Sequence, residues 1–296
     1  MSYSITIIGT GIMASGIAIG FVQKGCEVRI LGRSLDSANH CRSRVNSVVQ
    51  TGLPIIVDTI NQLNDWTSTD WIIETVTEDL SIKKDIFTWL DQKVPGHIPI
   101  GSNSSGFSIS KISQGLSTSY RMMNAHYFMP AEIVPLVEIV IGQDTSIEIA
   151  KKVCEMYINL GRKPILVKKD IPGFLANRIQ HALMREALSL LDSGVASMQD
   201  IDDAVRYSFG FRYAAIGPLM QKEISGWDTT SRAADEIYPS LSNINETPAL
   251  IKNMLHRGDV GIKSGKGLLD WDEQSAETIK QEYQRRLAEA LKILIK

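Results

Sequence analysis

A glycine-rich turn near the start of the chain restricts the possible folds more than any other feature. The run from Gly9 to Ala14 has the pattern GxGxxA; it follows the apolar run Ser4–Ile8 and opens a helical pattern over Ile12–Lys24. In a strand–turn–helix unit the first Gly permits the tight turn, the second lets the backbone approach a diphosphate, and the small third residue allows close helix–strand packing. This pattern predicts a dinucleotide site in which the cofactor contacts Gly9, Gly11, Ile12, Met13 and Ala14.

Short β-rich runs and helical patterns continue to alternate through the first 170 residues, and only helical patterns follow the run Lys169–Gly173. This order predicts an α/β protein: an N-terminal Rossmann-type doubly wound sheet over residues 1–170 and a C-terminal all-helical domain over residues 171–296. The predicted strands are Ser4–Ile8, Glu27–Leu31, Trp71–Val76, Ile98–Ser102, Met122–Phe128, Val134–Ile141 and Pro164–Lys168, and the helices between them are Ile12–Lys24, Leu35–Gln50, Leu80–Leu90 and Ile147–Leu160.

Two helices of the second domain carry apolar stripes. The stripe on Asn177–Asp192 predicts a helix that is packed on both sides. The stripe on the last helix, Ala276–Ile295, predicts docking either on its own domain or on a second copy of the chain, and the pattern favours neither.

Composition excludes several classes of function. A net charge of −2 gives no electrostatic reason to bind nucleic acid or an anionic membrane, and no apolar run is long enough to cross a bilayer. The three cysteines are far apart and have no ligand spacing, so we expect reduced thiols and no metal site. The first strand pattern leaves no room for a signal peptide, which favours a cytoplasmic protein.

The end of the second predicted strand bears on the choice of cofactor. An NAD-binding fold usually places an acid there to bind the ribose hydroxyls, but this chain has Gly32, Arg33 and Ser34. A guanidinium and a hydroxyl suit a 2′-phosphate better than a carboxylate does. The sequence therefore favours NADP, with Arg33 and Ser34 as ligands, and leaves NAD possible.

His126 and Glu138 stand twelve residues apart, each at the border of an apolar run. A His titrates near neutrality, and a carboxylate beside it can orient the ring and raise its basicity, as the oxidation of an alcohol requires. A core histidine beside a chance glutamate explains the pair equally well. Likewise the polar run Ser102–Gly106 is either a ligand loop after a strand or a plain turn, and Asn177 is either a substrate ligand or an ordinary residue of a helix start.

Taken together, these motifs resemble the 3-hydroxyacyl-CoA dehydrogenase family over nearly the whole chain. The family carries GxGxMGxG, a Glu-containing segment after a strand, SNTSS, HFFNP, a Glu twelve residues after that His, PGFxxNR and GxKxGxGFY. Their counterparts, in the same order, are Gly9–Gly16, Glu74–Glu78 with Lys83, Ser102–Ser105, His126–Pro130, Glu138, Pro172–Arg178 and Gly261–Leu268.

The resemblance implies roles for the residues that match. His126 is expected to take the 3-hydroxyl proton while hydride leaves C3 for the nicotinamide, with Glu138 holding the imidazole. Ser105 and Asn177 are expected to hydrogen-bond the substrate oxygens. Cofactor contacts are expected from Glu78, Lys83 and Asn103. Because the family's helical domains commonly pair, the resemblance also implies a homodimer, with the second domain shared between substrate binding and dimerisation.

The chain departs from the family pattern in ways that concern the substrate. Met129 replaces the Asn of HFFNP, and no Lys lies between Ser34 and Trp71, where the family has a Lys-rich extension that meets the CoA phosphates. The segment around Arg212 resembles the RYAFIGPL run of the lambda-crystallin and L-gulonate dehydrogenase branch, whose substrates are free hydroxy acids. Arg212 is therefore expected to bind a substrate carboxylate, although a structural salt bridge is the alternative.

We therefore expect an oxidoreductase that moves hydride between NADP and C3 of a small free 3-hydroxy or 3-oxo acid. One alternative is a 3-hydroxyacyl-CoA dehydrogenase, such as a 3-hydroxybutyryl-CoA enzyme of fatty acid metabolism. The other is a non-enzymatic, crystallin-like structural protein, against which the intact set of Ser105, His126, Glu138 and Asn177 argues.

Overall fold

The structure, a computed structural model, describes residues 2–50, 54–60, 63 and 65–294. The chain separates into two compact units, Met1–Arg178 and Ile179–Lys296, which we call unit 1 and unit 2. The end of the last predicted helix, at Ile295, lies outside the described residues. The roles assigned to the two domains from sequence stay predictions.

Unit 1 is built on one eight-stranded sheet with the order β3-β2-β1-β4-β5-β6-β7-β8. Among the strands that the structure describes, only the β6–β7 pair is antiparallel, and every other neighbouring pair is parallel. The strands are β1 Ser4–Ile8, β2 Glu27–Gly32, β3 Ile55–Thr59, β4 Trp71–Glu74, β5 Ile100–Ser102, β6 Met122–Tyr127, β7 Leu136–Ile141 and β8 Lys163–Val167. The predicted doubly wound sheet is confirmed.

Helices link the strands of this sheet, and polar side chains start several of them. Ser34, Asp79 and Ser146 each accept a backbone N–H of the first turn of the helix that follows, which satisfies one of its free donors. The helices of unit 1 are α1 Ile12–Val22, α2 Leu35–Val48, α3 Leu80–Lys93, α4 Ile109–Ile112 and α5 Ile147–Asn159. One buried apolar cluster contains residues of α1 and α5, and a second contains residues of α3 and α4.

Unit 2 has no strand in its described part, where isolated bridges join Lys266 to Gly261 and to Asp270. Its helices are α6 Ala176–Asp192, which begins within unit 1, α7 Met198–Tyr207, α8 Phe209–Ala215, α9 Pro218–Ser225, α10 Trp227–Ile237, α11 Ala249–His256 and α12 Glu273–Leu294. The predicted all-helical character of this region is confirmed. No helix in the described ranges is both long and apolar enough to span a bilayer.

One local prediction from sequence was wrong, and another stays a prediction. The structure has a strand, β3, where none was predicted; it lies at the edge of the sheet and pairs only with β2, and five residues are too few to establish a period. Helix α6 was predicted to be packed on both sides; none of its residues is buried within the single chain, so the surface that would cover it stays a prediction. An apolar stripe indicates a face that avoids water, but it does not say which surface covers that face.

Candidate active site

The carboxyl ends of four parallel strands meet at one edge of the sheet. Ile8 pairs with Glu74, Glu74 with Ser102, and Ser102 with Asn124, so the residues that follow these positions lie side by side. They include the glycine-rich turn, the polar loop after β5 and His126. In open α/β sheets this edge is where ligands bind.

The glycine-rich turn has the geometry that a diphosphate requires. Gly9 has φ +120°, and a Cβ there would lie 2.4 Å from the Thr75 hydroxyl oxygen, so only glycine fits. Gly11 begins α1 and has open space around it, while Ala14 is buried against the sheet. The first N–H groups of α1 have no partner within the helix and are suited to an anion. The residues present therefore fit a dinucleotide diphosphate.

Arg44, which has no role predicted from sequence, supports this turn from α2. Its guanidinium donates to the Ser15 hydroxyl at 2.9 Å and to the Thr10 carbonyl at 2.5 Å. No local motif marks Arg44, because the two helices meet only in the folded sheet.

At the end of β2, close backbone packing excludes a side chain. A Cβ on Gly32 would lie 2.5 Å from the Ser37 hydroxyl oxygen and 2.8 Å from the Ser34 carbonyl oxygen. The Ser34 hydroxyl accepts the Ser37 N–H at the start of α2. Arg33 is exposed and makes no hydrogen bond or ion pair with the described part of the chain. An acid at position 32 is thus disfavoured sterically, and an available cation stands next to it.

His126 and Glu138 form a buried pair. The Nδ1 atom of His126 lies 2.8 Å from Oε2 of Glu138, and the two residues are 4% and 0% exposed. They are direct cross-strand partners in the antiparallel β6–β7 pair, which puts both side chains on one face of the sheet and explains their separation in sequence. The other ring nitrogen, Nε2, makes no hydrogen bond to any described residue.

The second oxygen of Glu138 binds the start of α6. Oε1 accepts the N–H of Leu175 at 3.1 Å and that of Ala176 at 2.8 Å. Burial by itself would raise the pKa of the Glu138 carboxyl, but the hydrogen bonds from His126 and from these two amides outweigh it and hold the pKa below its ordinary value. Glu138 is therefore held as an anion and can only accept in this contact, so the hydrogen bond between the two residues is donated by Nδ1 of His126.

Two phenylalanines pack edge-on against the imidazole. The ring centroids of Phe128 and Phe174 lie 4.6 Å and 5.5 Å from that of His126. Phe174 is buried and has φ +48°, a conformation that costs about 1–3 kcal/mol for a residue other than glycine. This turn directs the next two amides at Glu138. Phe174 belongs to the PGF motif, but its residue type alone did not indicate this contact with His126.

Ser105 and Asn177 have side chains that are free to bind a ligand. Ser105 is exposed in the loop after β5, and Asn177 is half-buried in the first turn of α6, next to the amide that binds Glu138. Neither side chain makes a hydrogen bond to the residues that the structure describes. Asn103 links the loop after β5 to the strand that carries His126, because its Oδ1 accepts the N–H of Tyr127, the residue after His126.

Two further residues that were predicted to bind a ligand, Lys83 and Arg212, lie in different surroundings. The Lys83 ammonium is enclosed between Glu74 and Glu78, at 2.8 Å and 3.3 Å. Arg212 is an exposed residue of α8 in unit 2, and its contact with a substrate stays a prediction. No group of three or more His, Cys, Asp or Glu residues in the described ranges could hold a metal ion.

The comparisons with known proteins agree with this geometry. Residues 4–171 match the model of the 3-hydroxyacyl-CoA dehydrogenase NAD-binding domain, and residues 173–271 match that of the family's C-terminal domain. The chain is 33% identical to L-carnitine dehydrogenase of Oceanobacillus iheyensis over 80% of this chain and 81% of that protein. It is 29% identical to 5-formyl-3-hydroxy-2-methylpyridine 4-carboxylate 5-dehydrogenase of Mesorhizobium japonicum over 99% of both chains.

A solved structure supports the same assignment. The crystal structure described as 5-formyl-3-hydroxy-2-methylpyridine 4-carboxylic acid 5-dehydrogenase, an NAD+-dependent dismutase, matches with a TM-score of 0.91 and 26% identity over 99% of both chains. The two family models match residues of both units, up to residue 271. The chain therefore belongs to the 3-hydroxyacyl-CoA dehydrogenase family of NAD-binding oxidoreductases.

Proposed function

We propose that the protein transfers hydride between NADP and C3 of a small 3-hydroxy acid that it binds as the free acid. The observation that carries this proposal is the buried His126–Glu138 pair, whose free Nε2 atom lies at the same sheet edge as the glycine-rich turn. An alcohol dehydrogenase needs a proton acceptor of this kind beside its nucleotide site.

In this proposal, side chains of the protein take up the hydroxyl proton and stabilise the charges that form during the reaction. Nε2 of His126 accepts the hydroxyl proton during oxidation and returns it during reduction. Glu138 stabilises the imidazolium that forms, and its pKa keeps it ionised throughout. The Ser105 hydroxyl and the Asn177 amide donate hydrogen bonds to the substrate oxygen as negative charge develops on it. The nicotinamide ring, when bound, supplies or accepts the hydride.

The preference for NADP is supported by the end of β2. The crowded backbone at Gly32 leaves no space for the usual ribose-binding acid, and Arg33 is exposed and unpaired among the described residues. Two acids lie on the neighbouring elements: Asp36 is in the first turn of α2, and Asp58 on β3 is the cross-strand partner of Leu31. Arg33→Asp should lower kcat/KM for NADPH at least about tenfold relative to NADH, since it replaces an attraction by a repulsion. An unchanged ratio would reject the NADP assignment.

The proposal of a free-acid substrate is supported by the shortage of basic residues that could bind the phosphates of CoA. Between Ser34 and Trp71 the chain has no Lys, and its two arginines are already bound: Arg42 to Asn39 at 2.7 Å and Arg44 to the glycine-rich turn. Two of the similar proteins are named for substrates without CoA. The description of the family models favours the second candidate, a dehydrogenase of 3-hydroxyacyl-CoA thioesters.

We also propose that the protein is a homodimer. Among the described residues of unit 2, Met254 and Ala276 are the only buried apolar side chains, whereas large apolar side chains are exposed on most of its helices. A second copy would remove such surface from water.

A paired assay tests the proposed function. Acetoacetyl-CoA and free 3-oxo acids of several chain lengths would each be offered with NADH and with NADPH. We expect turnover with a free acid and NADPH, and loss of that turnover in His126→Ala. Robust activity with acetoacetyl-CoA and none with free acids would select the second candidate, and activity with neither class would reject both.

A further inference from the structure

The surroundings of Lys83 do not suit a residue that binds the cofactor. Its side chain is 1% exposed. Its ammonium lies 2.8 Å from Oε1 of Glu74, 3.3 Å from Oε2 of Glu78 and 3.4 Å from the Val76 carbonyl oxygen. Two of the three ammonium hydrogens are donated, to Glu74 and to the Val76 carbonyl, and Glu78 is an ion-pair partner. The charge of Lys83 is therefore already matched by two carboxylates of its own chain, which leaves it poorly suited to bind a diphosphate.

Glu74, the main partner of Lys83, is also bound on every side. It is 0% exposed, and its Oε1 accepts the Val76 N–H at 2.6 Å as well as Lys83. Its Oε2 accepts the hydroxyl of Ser102 at 2.6 Å, and the Ser102 oxygen accepts the N–H of Ser104 at 3.2 Å. Glu74 therefore holds the beginning of the loop after β5.

Glu78 holds the other part of the same loop. Its Oε1 accepts the Ser104 hydroxyl at 2.5 Å and the Gly106 N–H at 2.8 Å, and the Ser104 oxygen accepts the Phe107 N–H at 2.9 Å. Burial raises the pKa of Glu78, but the hydrogen bonds from Ser104 and Gly106 and the charge of Lys83 outweigh it and lower the pKa overall. Glu78 is thus held as an anion.

The two carboxylates bind the residues on both sides of Ser105. Ser102 and Ser104 are fixed before it, and Gly106 and Phe107 after it, while the Ser105 side chain itself makes no bond to the described residues. Lys83 is the cation between the carboxylates. Without it, the fully buried Glu74 and the 41% exposed Glu78, two anions that now share one ammonium, would repel each other.

We propose that Lys83 and Glu74 are positioning residues that hold Ser105 in place, and that Lys83 does not bind the cofactor. The proposal rests on the proposed function in one respect, since it takes Ser105 to bind the substrate oxygen. Holding a donor within a fraction of an ångström matters, because a displacement of about 1 Å can cost about 100-fold in rate.

The test compares Lys83→Met with Lys84→Met, a matched control at the next position, whose ammonium bonds to none of the described residues. Three quantities would be measured: kcat and KM, the Kd of NADH and NADPH by fluorescence titration, and hydrogen exchange of the amides of residues 104–107. For Lys83→Met we expect about tenfold or faster exchange in this loop, kcat lowered about 100-fold, and a cofactor Kd within about twofold of the wild type. Lys84→Met should leave all three unchanged.

A raised cofactor Kd with unchanged loop exchange would overturn the proposal and assign Lys83 to the cofactor. If Lys83→Met does not fold, Ser104→Ala provides the same test, because it removes one hydroxyl that links Glu78 to Phe107. Unchanged exchange of the Gly106 and Phe107 amides in that variant would also overturn the proposal. In the Lys83→Met background, Glu74→Gln should restore part of the lost kcat, since it removes an uncompensated carboxylate; a further loss would count against the proposal.

Loop exchange and cofactor binding need no turnover. Absence of dehydrogenase activity in the wild-type protein would reject the proposed function, whereas these two measurements would still decide where Lys83 acts.

Discussion

The two units differ in how they treat apolar side chains. In unit 1 many large apolar residues, such as Trp71 and Phe87, are fully buried between the sheet and its helices. In unit 2 residues of the same kind, such as Phe211, Leu219 and Tyr238, are exposed. Parallel strands covered on both faces bury their side chains within the domain. A set of helices with apolar stripes needs a further surface, and we propose that a second copy provides it.

The largest expected effect is on kcat, and it should distinguish a substitution in unit 1 from one in unit 2. His126→Ala in unit 1 removes the proton acceptor and should lower kcat about 10²–10⁴-fold with cofactor binding retained. Arg212→Met in unit 2 should mainly raise the KM for a free acid, since it removes a contact that helps equally in the ground and transition states. Steady-state kinetics of both variants would check this. A large fall in kcat for Arg212→Met would place chemistry on unit 2 as well.

The same substitution in the two units should have unequal effects on stability. Phe87, in unit 1, is 0% exposed, and Phe211, in unit 2, is 72% exposed. Phe87→Ala leaves a cavity and should lower the free energy of unfolding by about 3–5 kcal/mol. Phe211→Ala should change it by at most about 0.5 kcal/mol at a protein concentration where the chain is monomeric. Urea unfolding followed by fluorescence would measure both, and equal losses would contradict the contrast.

The proposed dimer can be broken on α6. Leu183 is exposed on this helix, and placing a carboxylate there in an apolar interface should weaken association at least about 100-fold. Sedimentation of Leu183→Glu should show monomers at concentrations where the wild type is dimeric. Gln180→Glu, which adds the same charge to the same helix, is the control. A monomeric wild type, or equal effects of the two variants, would argue against an interface that includes Leu183.

The smallest effect concerns acid stability within unit 1. The pKa of Glu138 is lowered in the folded protein, so its ionised form contributes stability above its ordinary value of 4.5, and this contribution is lost as the pH falls through the lowered pKa. The difference in unfolding free energy between the wild type and Glu138→Gln should therefore shrink as the pH is lowered below about 4.5. Urea titrations of both proteins between neutral and acidic pH would measure this difference in unfolding free energy. A difference that grows as the pH falls would contradict the stabilisation by ionised Glu138.

Much of unit 1 was predictable because its strands are nearly continuous apolar runs and its helices begin at capping residues such as Ser34 and Asp79. The edge strand β3 was not predictable, because its five residues form a strand only by pairing with β2. In unit 2 the helices followed from their periodicity, but the surface that covers them did not, because a stripe carries no information about its partner.

The candidate site shows the same division. The residue types at His126, Glu138, Ser105 and Asn177 were evident from sequence, and their catalytic roles stay predictions. Arg44 and Phe174 were missed, since their contacts depend on packing between elements far apart in the chain. Lys83 was expected to meet the cofactor, yet its ammonium is enclosed by two carboxylates.

The sequence alone determined the alternating order of strands and helices, the glycine-rich turn and the presence of an imidazole and a carboxylate at strand borders, because these depend on local patterns of residue size, polarity and backbone freedom. Only the tertiary structure decided that Glu138 stands opposite His126 across an antiparallel pair, that its second oxygen binds the start of α6, and that Lys83 faces inward. Strand register and burial depend on long-range packing, so residues distant in sequence decide which of the possible contacts is made.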